Sequence, residues 1–466
     1  MDRREFLKHS TAALAGTSVL LSACGKKKPS AVSNQHSEPE GSMTLRVNPN
    51  TGDKVSLLGF GMMRLPVVAG GTARENPDSP IDQEAVNAMV DHALAHGVNL
   101  FDTSPLYCQG NSENSLGIAL ARHPRNTYYI STKMSNFDPA TWSLAESQAM
   151  FERSLQRLQT DYVDYLLLHG IGMSGGGLNA WETFQKRYIE NGLLDWLIEQ
   201  KRKGRIRNLG FSYHGDQKVF DQLLQWHDEG NVHWDTVLIE LNYVDWNYAD
   251  EINSRNTDAA YLYEELKKRT IPVFVMEPLL GGRLAHQPHA IVRQMQHLNP
   301  NLSPAAWAFR FAGTPDGVLS VLSGMTYLEH LKENIATYSP LRPLEDKEWS
   351  FLMRLADEIC AMKAIPCTAC NYCMPCPYGL NIPQIFNYYN ACIAEGLLPD
   401  MTAHGDAEFL RKRRAFLVGY DRTVPGMRQA DHCIGCRRCM PHCPQRIKIP
   451  QEMQKIDRLV ENLKQL

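Results

Sequence analysis

Eight of the 12 cysteines in this 466-residue chain fall in two short runs. The first reads Cys-Thr-Ala-Cys-Asn-Tyr-Cys-Met-Pro-Cys-Pro from Cys367 to Pro377. The second reads Cys-Ile-Gly-Cys-Arg-Arg-Cys-Met-Pro-His-Cys-Pro from Cys433 to Pro444. Three thiolates on one tight loop can reach three corners of an iron–sulfur cubane, while the fourth must arrive from elsewhere. The spacing therefore points to two [4Fe–4S] clusters, one around Cys367, Cys370 and Cys373 and one around Cys433, Cys436 and Cys439. Structural zinc is the rival reading, but zinc ribbons use separated C-x2-C pairs rather than four cysteines in a row ending in Cys-Pro. A disulfide network suits cysteines this crowded still less. A second set of residues is spread along the chain: Asp102, Tyr107, Lys133 and His169 each end or follow a short apolar run. A lysine ammonium beside a tyrosine favours phenolate and lowers a pKa that is ordinarily near 10. An aspartate would hold that lysine charged and in place, and a histidine would orient a carbonyl oxygen. Together the four could protonate a carbonyl while a nicotinamide delivers hydride.

The elements that must position these residues alternate. Expected strands are Val55–Gly61, Asn99–Asp102, Tyr128–Lys133, Val163–His169, Ile206–Ser212, Thr236–Leu241, Ile271–Met276 and Val318–Ser323, each rich in Val, Ile, Leu or Phe and bounded by Gly, Asp or Pro. Helical periodicity lies between them, as in Gln83–His96 and Ala145–Leu158. Eight strands alternating with about eight helices over about 280 residues is the arithmetic of an α/β fold of the (β/α)8 TIM-barrel type. An open doubly wound sheet is the runner-up, but no G-x-G-x-x-G follows a strand: Gly59-Phe60-Gly61 runs into Met62-Met63-Arg64. A small hairpin should precede the barrel around Asn48-Pro49-Asn50-Thr51-Gly52-Asp53. Barrel chemistry sits at the C-terminal strand edge, where Asp102, Tyr107, Lys133 and His169 would converge. The glycine-rich stretch Gly170–Gly177 would loop over that mouth and set substrate choice with Arg64 and Cys108.

Residues 44–340 resemble the aldo/keto reductase superfamily. The carrying segments are Leu58–Pro66, Phe101–Tyr107 with Glu113–Gly117 after it, Ser131–Lys133, Asp161–His169, Gly204–Ser212 and Met276–Leu284. That resemblance implies Tyr107 as proton donor, with Asp102, Lys133 and His169 completing a tetrad, and NADPH or NADH as cofactor. It places Ser212 and Glu240 (or Asn242) at the nicotinamide, and Ser323, Gly324, Met325, Glu333 and Asn334 at the adenosine. Tyr213 stands where an asparagine is usual. Thr326 and His330 hold the positions of the basic residues that normally take the 2′-phosphate. The cysteine tail resembles the bacterial ferredoxin pattern, in which the fourth cysteine of each run ligates the other cluster. That implies Cys443 with Cys367, Cys370 and Cys373, and Cys376 with Cys433, Cys436 and Cys439. The first run departs from the pattern, with two residues rather than three before Cys376. Known relatives join such a barrel to such a tail, expected here as a mainly helical ferredoxin-like dicluster domain.

Composition agrees with a soluble globular body: 43% hydrophobic and 21% charged residues. A net charge of −3 gives no sign of a nucleic-acid surface. The N-terminus reads as an address. Asp2-Arg3-Arg4-Glu5-Phe6-Leu7-Lys8 resembles a twin-arginine export signal, an apolar stretch follows from Thr11 to Leu21, and Leu21-Ser22-Ala23-Cys24 resembles a lipobox. The expected organisation is a signal over 1–24, a flexible tether over 25–42, the barrel over 43–342 and the dicluster domain over 343–466. The expected destination is the periplasm or cell envelope, with membrane contact only through a lipid on Cys24.

Two functions fit this organisation. One is an exported oxidoreductase acting on a small carbonyl or alcohol, with the clusters passing electrons to or from a redox partner protein. The other is an electron-transfer or ligand-binding protein whose barrel no longer transfers hydride. Purely structural clusters are a third reading.

Overall fold

The computed structural model describes residues 41–466, apart from Arg74, Pro77, Ser254, Lys363, Thr368, Cys370, His404 and Pro444. The export signal, Cys24 and all but the last two residues of the tether lie outside the described residues.

Among the described residues ten strands form: β1 Leu45–Val47, β2 Lys54–Ser56, β3 Leu58–Gly61, β4 Leu100–Asp102, β5 Tyr129–Met134, β6 Val163–Ile171, β7 Ile206–Tyr213, β8 Thr236–Glu240, β9 Val273–Met276 and β10 Val318–Gly324. Strands β3 to β10 close into a parallel barrel in sequence order, with β10 pairing β3. The run expected as one strand, Val55–Gly61, is divided. Its first part pairs antiparallel with β1, Leu45 facing Ser56, and only the second enters the barrel. That hairpin sits under the N-terminal strand ends. Arg46 donates to Pro315 O at 2.5 Å, and Asn48 Nδ2 donates to the Tyr165 hydroxyl at 3.0 Å.

Apolar side chains fill the barrel. Leu100, Tyr165, Leu167, Leu238, Phe274 and Leu319 form one buried cluster, each such side chain contributing about 1.5–3 kcal/mol on burial. Close packing dictates two glycines. A Cβ on Gly210 of β7 would lie 2.0 Å from Thr236 O of β8, and one on Gly117 would lie 2.1 Å from Arg157 O. The outer helices present one apolar stripe. Leu144–Leu158 buries Met150, Phe151, Leu155 and Leu158, and Ser143 caps its N-terminus by accepting from Glu146 N.

The helix Asp346–Ala361 packs Phe351, Leu352 and Leu355 into the barrel's own core. Arg310 fixes it by a two-pronged contact to Glu348, at 3.0 and 2.8 Å. The second core begins only at Ile365. It gathers Ile385, Phe386, Phe416, Tyr420, Met453 and Ile456 from the helices Ile382–Ala394, Ala407–Thr423 and Ile449–Gln465. The described tail residues after 362 contain helices and no strand. Among the described residues no helix is long and apolar enough to cross a membrane.

Candidate active site

Strands β4, β5 and β6 carry Asp102, Lys133 and His169 to the same end of the barrel, and Tyr107 follows β4. All four line one cavity of about 980 Å³. Tyr107 is placed by a sharp turn: Cys108 and Gln109 behind it both adopt left-handed backbone, φ 50° and 56°. Lys133 is buried. Its Nζ donates to Asp102 Oδ1 at 2.5 Å and to Thr103 O at 2.8 Å, and stands 4.8 Å from the Tyr107 ring centroid. Ser131 Oγ donates to the other oxygen of Asp102 at 2.7 Å. Burial opposes the Lys133 charge, but Asp102 and Tyr107 outweigh it and raise the pKa.

The expectation that Lys133 lowers the Tyr107 pKa is corrected in its net sign. Burial is the largest influence and pushes the Tyr107 hydroxyl upward; Lys133 pulls it only part of the way back. Tyr107 therefore holds its proton throughout the neutral range. His169 moves oppositely. Burial, then the positive charge of Lys133, keeps its pKa well below the usual value, so the ring is neutral. A chain of hydroxyls orients it: Leu106 N donates to Ser104 Oγ at 3.2 Å, Ser104 Oγ lies 3.0 Å from Ser135 Oγ, and Ser135 Oγ lies 2.6 Å from His169 Nδ1. With each hydroxyl donating to the next, Nδ1 accepts and Nε2–H is left to donate into the cavity. Buried Arg187 donates to His169 O at 2.7 Å and stacks on Phe137, whose ring lies 4.9 Å from the His169 ring.

A pH profile follows. Tyr107, its pKa raised, keeps its proton near neutrality, and His169, its pKa held well below the usual value, stays neutral there. We expect kcat/KM for carbonyl reduction to stay flat from about pH 6 to 9 and to fall only on the alkaline side as Tyr107 ionises. An acid limb near pH 6.5 that disappears in His169→Gln would overturn this assignment.

The residues expected at the nucleotide divide. Ser212, Ser323, Gly324, Glu333 and Asn334 line the cavity. Glu240 and Met325 are not among its lining residues: the Glu240 carboxylate is engaged by His214 and Asn256, and Met325 is packed in the core. Asn242 is likewise buried, bonded to Asp245 and Glu277 O. Tyr213 turns its hydroxyl to Gly215 O and Thr257. Sequence reasoning passed over Arg283, His214 and Glu277 as wall residues. Arg283 had a signal, a lone cation in a glycine-rich loop after a strand. Its buried Nη1 has no hydrogen-bond partner among the described residues.

The loop expected over the mouth does not line the cavity. Strand β6 continues through Ile171, and the following glycines fold back on neighbours, with Gly176 against Trp142 and Gly172 against His214 O. Cys108 also faces away, its Sγ 3.6 Å from Met62 O. The tail supplies the wall instead. Met362, Cys367, Ala369, Asn387 and Ala391 line the same cavity as Tyr107. Asn390 ties the two tail segments together, accepting from Ile365 N at 2.9 Å and donating to Ile365 O at 2.7 Å. Tyr372, inside the first cysteine run, is near enough to Tyr107 to push its pKa slightly further up.

No disulfide joins the described cysteines. Burial, together with the nearby thiols of Cys433, Cys436 and Cys376, pushes the Cys439 thiol up to about 11. Cys376 thus keeps company with the second run. The thiols are nonetheless not drawn into a ready cage: among the described residues there is no group of three or more His, Cys, Asp or Glu that could hold a metal ion.

A parallel eight-stranded barrel with a buried lysine–aspartate pair beside a tyrosine at its C-terminal mouth defines a carbonyl–alcohol oxidoreductase scaffold. The match of residues 58–357 to the aldo/keto reductase family makes it specific: the chain belongs to that family and is an oxidoreductase. It is 28% identical over 318 residues to the L-galactose dehydrogenase of Arabidopsis thaliana, covering 64% of this chain and 89% of that one. It is 24% identical over 281 residues to the methylglyoxal reductase YeaE of Escherichia coli, covering 59% and 86%. The fold is shared with the holo form of aldo-keto reductase AKR11C1 from Bacillus halodurans, at TM-score 0.51 and 23% identity over 67% of this chain and 96% of that one.

Proposed function

We propose that the chain is a nicotinamide-dependent oxidoreductase of small carbonyls and alcohols, with Tyr107 as proton donor and two [4Fe–4S] clusters in its tail. The carrying observation is the buried Asp102–Lys133 pair at 2.5 Å beside Tyr107, in a cavity shared with neutral His169. His169 Nε2 holds the carbonyl oxygen, Tyr107 gives it a proton, and the Lys133 charge, fixed by Asp102, stabilises the phenolate left behind. The tail wall narrows the access of water to that exchange.

The cavity fits the cofactor in two respects. Arg283 offers a buried donor without a partner, and Gly324 keeps the wall thin beside Arg64, whose Cδ would lie 3.2 Å from a Cβ there. Ser212 would face the nicotinamide, and Ser323, Gly324, Glu333 and Asn334 the adenosine, with Arg64 and Arg283 toward the phosphates. When bound, the nicotinamide supplies or accepts the hydride. Thr326 and His330 at the 2′-phosphate end favour NADH over NADPH. L-galactose and methylglyoxal, which appear in the names of relatives, are the first substrates to try.

For the tail, the proposal places one cluster on Cys367, Cys370, Cys373 and Cys443 and the other on Cys433, Cys436, Cys439 and Cys376. Support comes from the C-x2-C-x2-C-x3-C-P spacing of the second run, the similar first run and the nearness of Cys376 to the second run. Thiols gather fully only as metal binds, so an open arrangement in the free chain fits this chemistry. Residues 1–24 would direct twin-arginine export and lipidation of Cys24, with residues 25–42 as tether. A redox protein is the proposed partner.

Anaerobic purification with iron counting tests the tail. We expect about eight iron atoms per chain, falling to about four in Cys376→Ser. Zinc in place of iron would sink the cluster assignment. Adding NADH or NADPH tests the barrel. Quenching of protein fluorescence with bleaching of the visible cluster band joins the two halves, quenching alone leaves the clusters uncoupled, and no response to either nucleotide removes the nicotinamide.

A further inference from the structure

One stretch of the tail is locally basic. Between residues 421 and 448 lie six basic side chains, Arg422, Arg428, Arg437, Arg438, Arg446 and Lys448, against two acids, Asp421 and Asp431. The whole chain has net charge −3, so this is a local concentration. All six are exposed, and none makes an ion pair among the described residues.

Within this basic stretch stand large apolar side chains in solvent. Met427 is 78% exposed and Ile434 63%. Tyr378, just after the first run, is 44% exposed. Asn381 N donates to Arg428 O at 3.2 Å and Gly379 packs on the Met427 backbone, so the two segments run side by side. Cys436 is exposed in the same stretch, and Cys433, Cys439 and Cys376 are only partly covered. An apolar centre inside a charged rim is the anatomy of a docking site. A monomer's isolated surface apolar residues need no explanation, but two strongly exposed ones within 28 residues that also carry six exposed basic side chains do.

We propose that this face docks a small acidic one-electron carrier protein. The basic rim steers an acidic partner by long-range attraction. Met427 and Ile434, exposed in the same stretch of chain as Cys433, Cys436 and Cys439, with Tyr378 beside the segment of chain that meets Met427, then give it apolar contacts. The opposite run lines the barrel cavity through Cys367 and Ala369, so the carrier seat and the substrate cavity belong to different cysteine runs. The inference rests on the cluster reading above only for what the carrier exchanges; the seat itself is a property of these side chains.

The test uses the full-length, metal-loaded protein and an acidic flavodoxin as probe, with association followed by interferometry and iron counted on the same samples. The expected result is an association rate that falls steeply with salt in the wild type. In Arg437→Glu/Arg438→Glu it should be at least about tenfold slower at low salt and nearly salt-independent. Ile434→Ser should speed dissociation with association unchanged. Equal rates in wild type and the charge-reversed variant, at equal iron content, would overturn the docking surface. So would tight binding to phosphatidylglycerol vesicles without binding of flavodoxin, which would make the patch a membrane contact. Patch-dependent binding in a protein without iron would keep the surface and remove the cluster reading.

Discussion

Replacing Tyr107 with phenylalanine should lower kcat for carbonyl reduction by about 10²–10⁴-fold with little change in KM. The substitution removes one oxygen from a side chain that lines the cavity and leaves the ring in place, still 4.8 Å from Lys133 Nζ and edge-on to His169 at 6.1 Å. Substrate and nucleotide would bind as before, because neither contact depends on the hydroxyl. What is lost acts only as charge develops on the carbonyl oxygen, so the loss belongs in kcat. Asp102→Asn should mimic part of it: Lys133 would keep its Thr103 carbonyl but lose the carboxylate that outweighs burial. Steady-state kinetics on the two variants, with nucleotide affinity from fluorescence, checks both. A Tyr107→Phe protein with wild-type kcat would remove the proton-donor role.

Arg310→Leu should destabilise the protein by about 3–5 kcal/mol, because it strands the Glu348 carboxylate in a nearly closed site. Arg310 is 7% exposed and Glu348 9%. The guanidinium grips both carboxylate oxygens and also donates to Arg342 O at 2.9 Å. The double variant Arg310→Leu/Glu348→Leu should recover much of the loss, since an apolar pair leaves no charge uncompensated. Denaturant melts of the three variants give the cycle directly. The pair also has a pH signature. Burial pushes the Glu348 carboxyl up, but Arg310 and the Glu345 backbone more than offset it, and the net direction is down. A carboxyl depressed in the folded state contributes stability above its unfolded pKa, near 4.3, and that contribution is lost as pH falls through the lower folded value. The wild type should therefore lose more stability than the double variant below pH 4.

The tetrad was legible because strands end where apolar runs end, and barrel geometry turns successive strand ends into one mouth. Strand bounds moved by only a residue or two, except at Val55–Gly61, where an unbroken apolar run concealed a handover from hairpin to barrel. The direction of the Tyr107 shift was not legible. It depends on enclosure, and no local pattern reports how deeply a tyrosine is surrounded. The setting of Glu240 was not legible for a related reason: the resemblance gave its position, but its carboxylate is engaged by His214 and Asn256, which arrive from other loops. The glycines after His169 signalled an irregular path without saying where it leads. The wall at the mouth comes instead from residues almost two hundred positions downstream, and contacts of that separation leave no periodicity to read.

That wall has a bearing on modularity. The stretch from 362 to 394 lines the cavity at both ends and carries the cysteine run between them, and Asn390 buckles the two ends together through both backbone groups of Ile365. A barrel cut after residue 357 would keep its strands and its tetrad but open to bulk water on one side. Grafting the barrel's selectivity onto another scaffold would require carrying this stretch of tail with it, so the unit of inheritance for substrate choice is longer than the barrel itself.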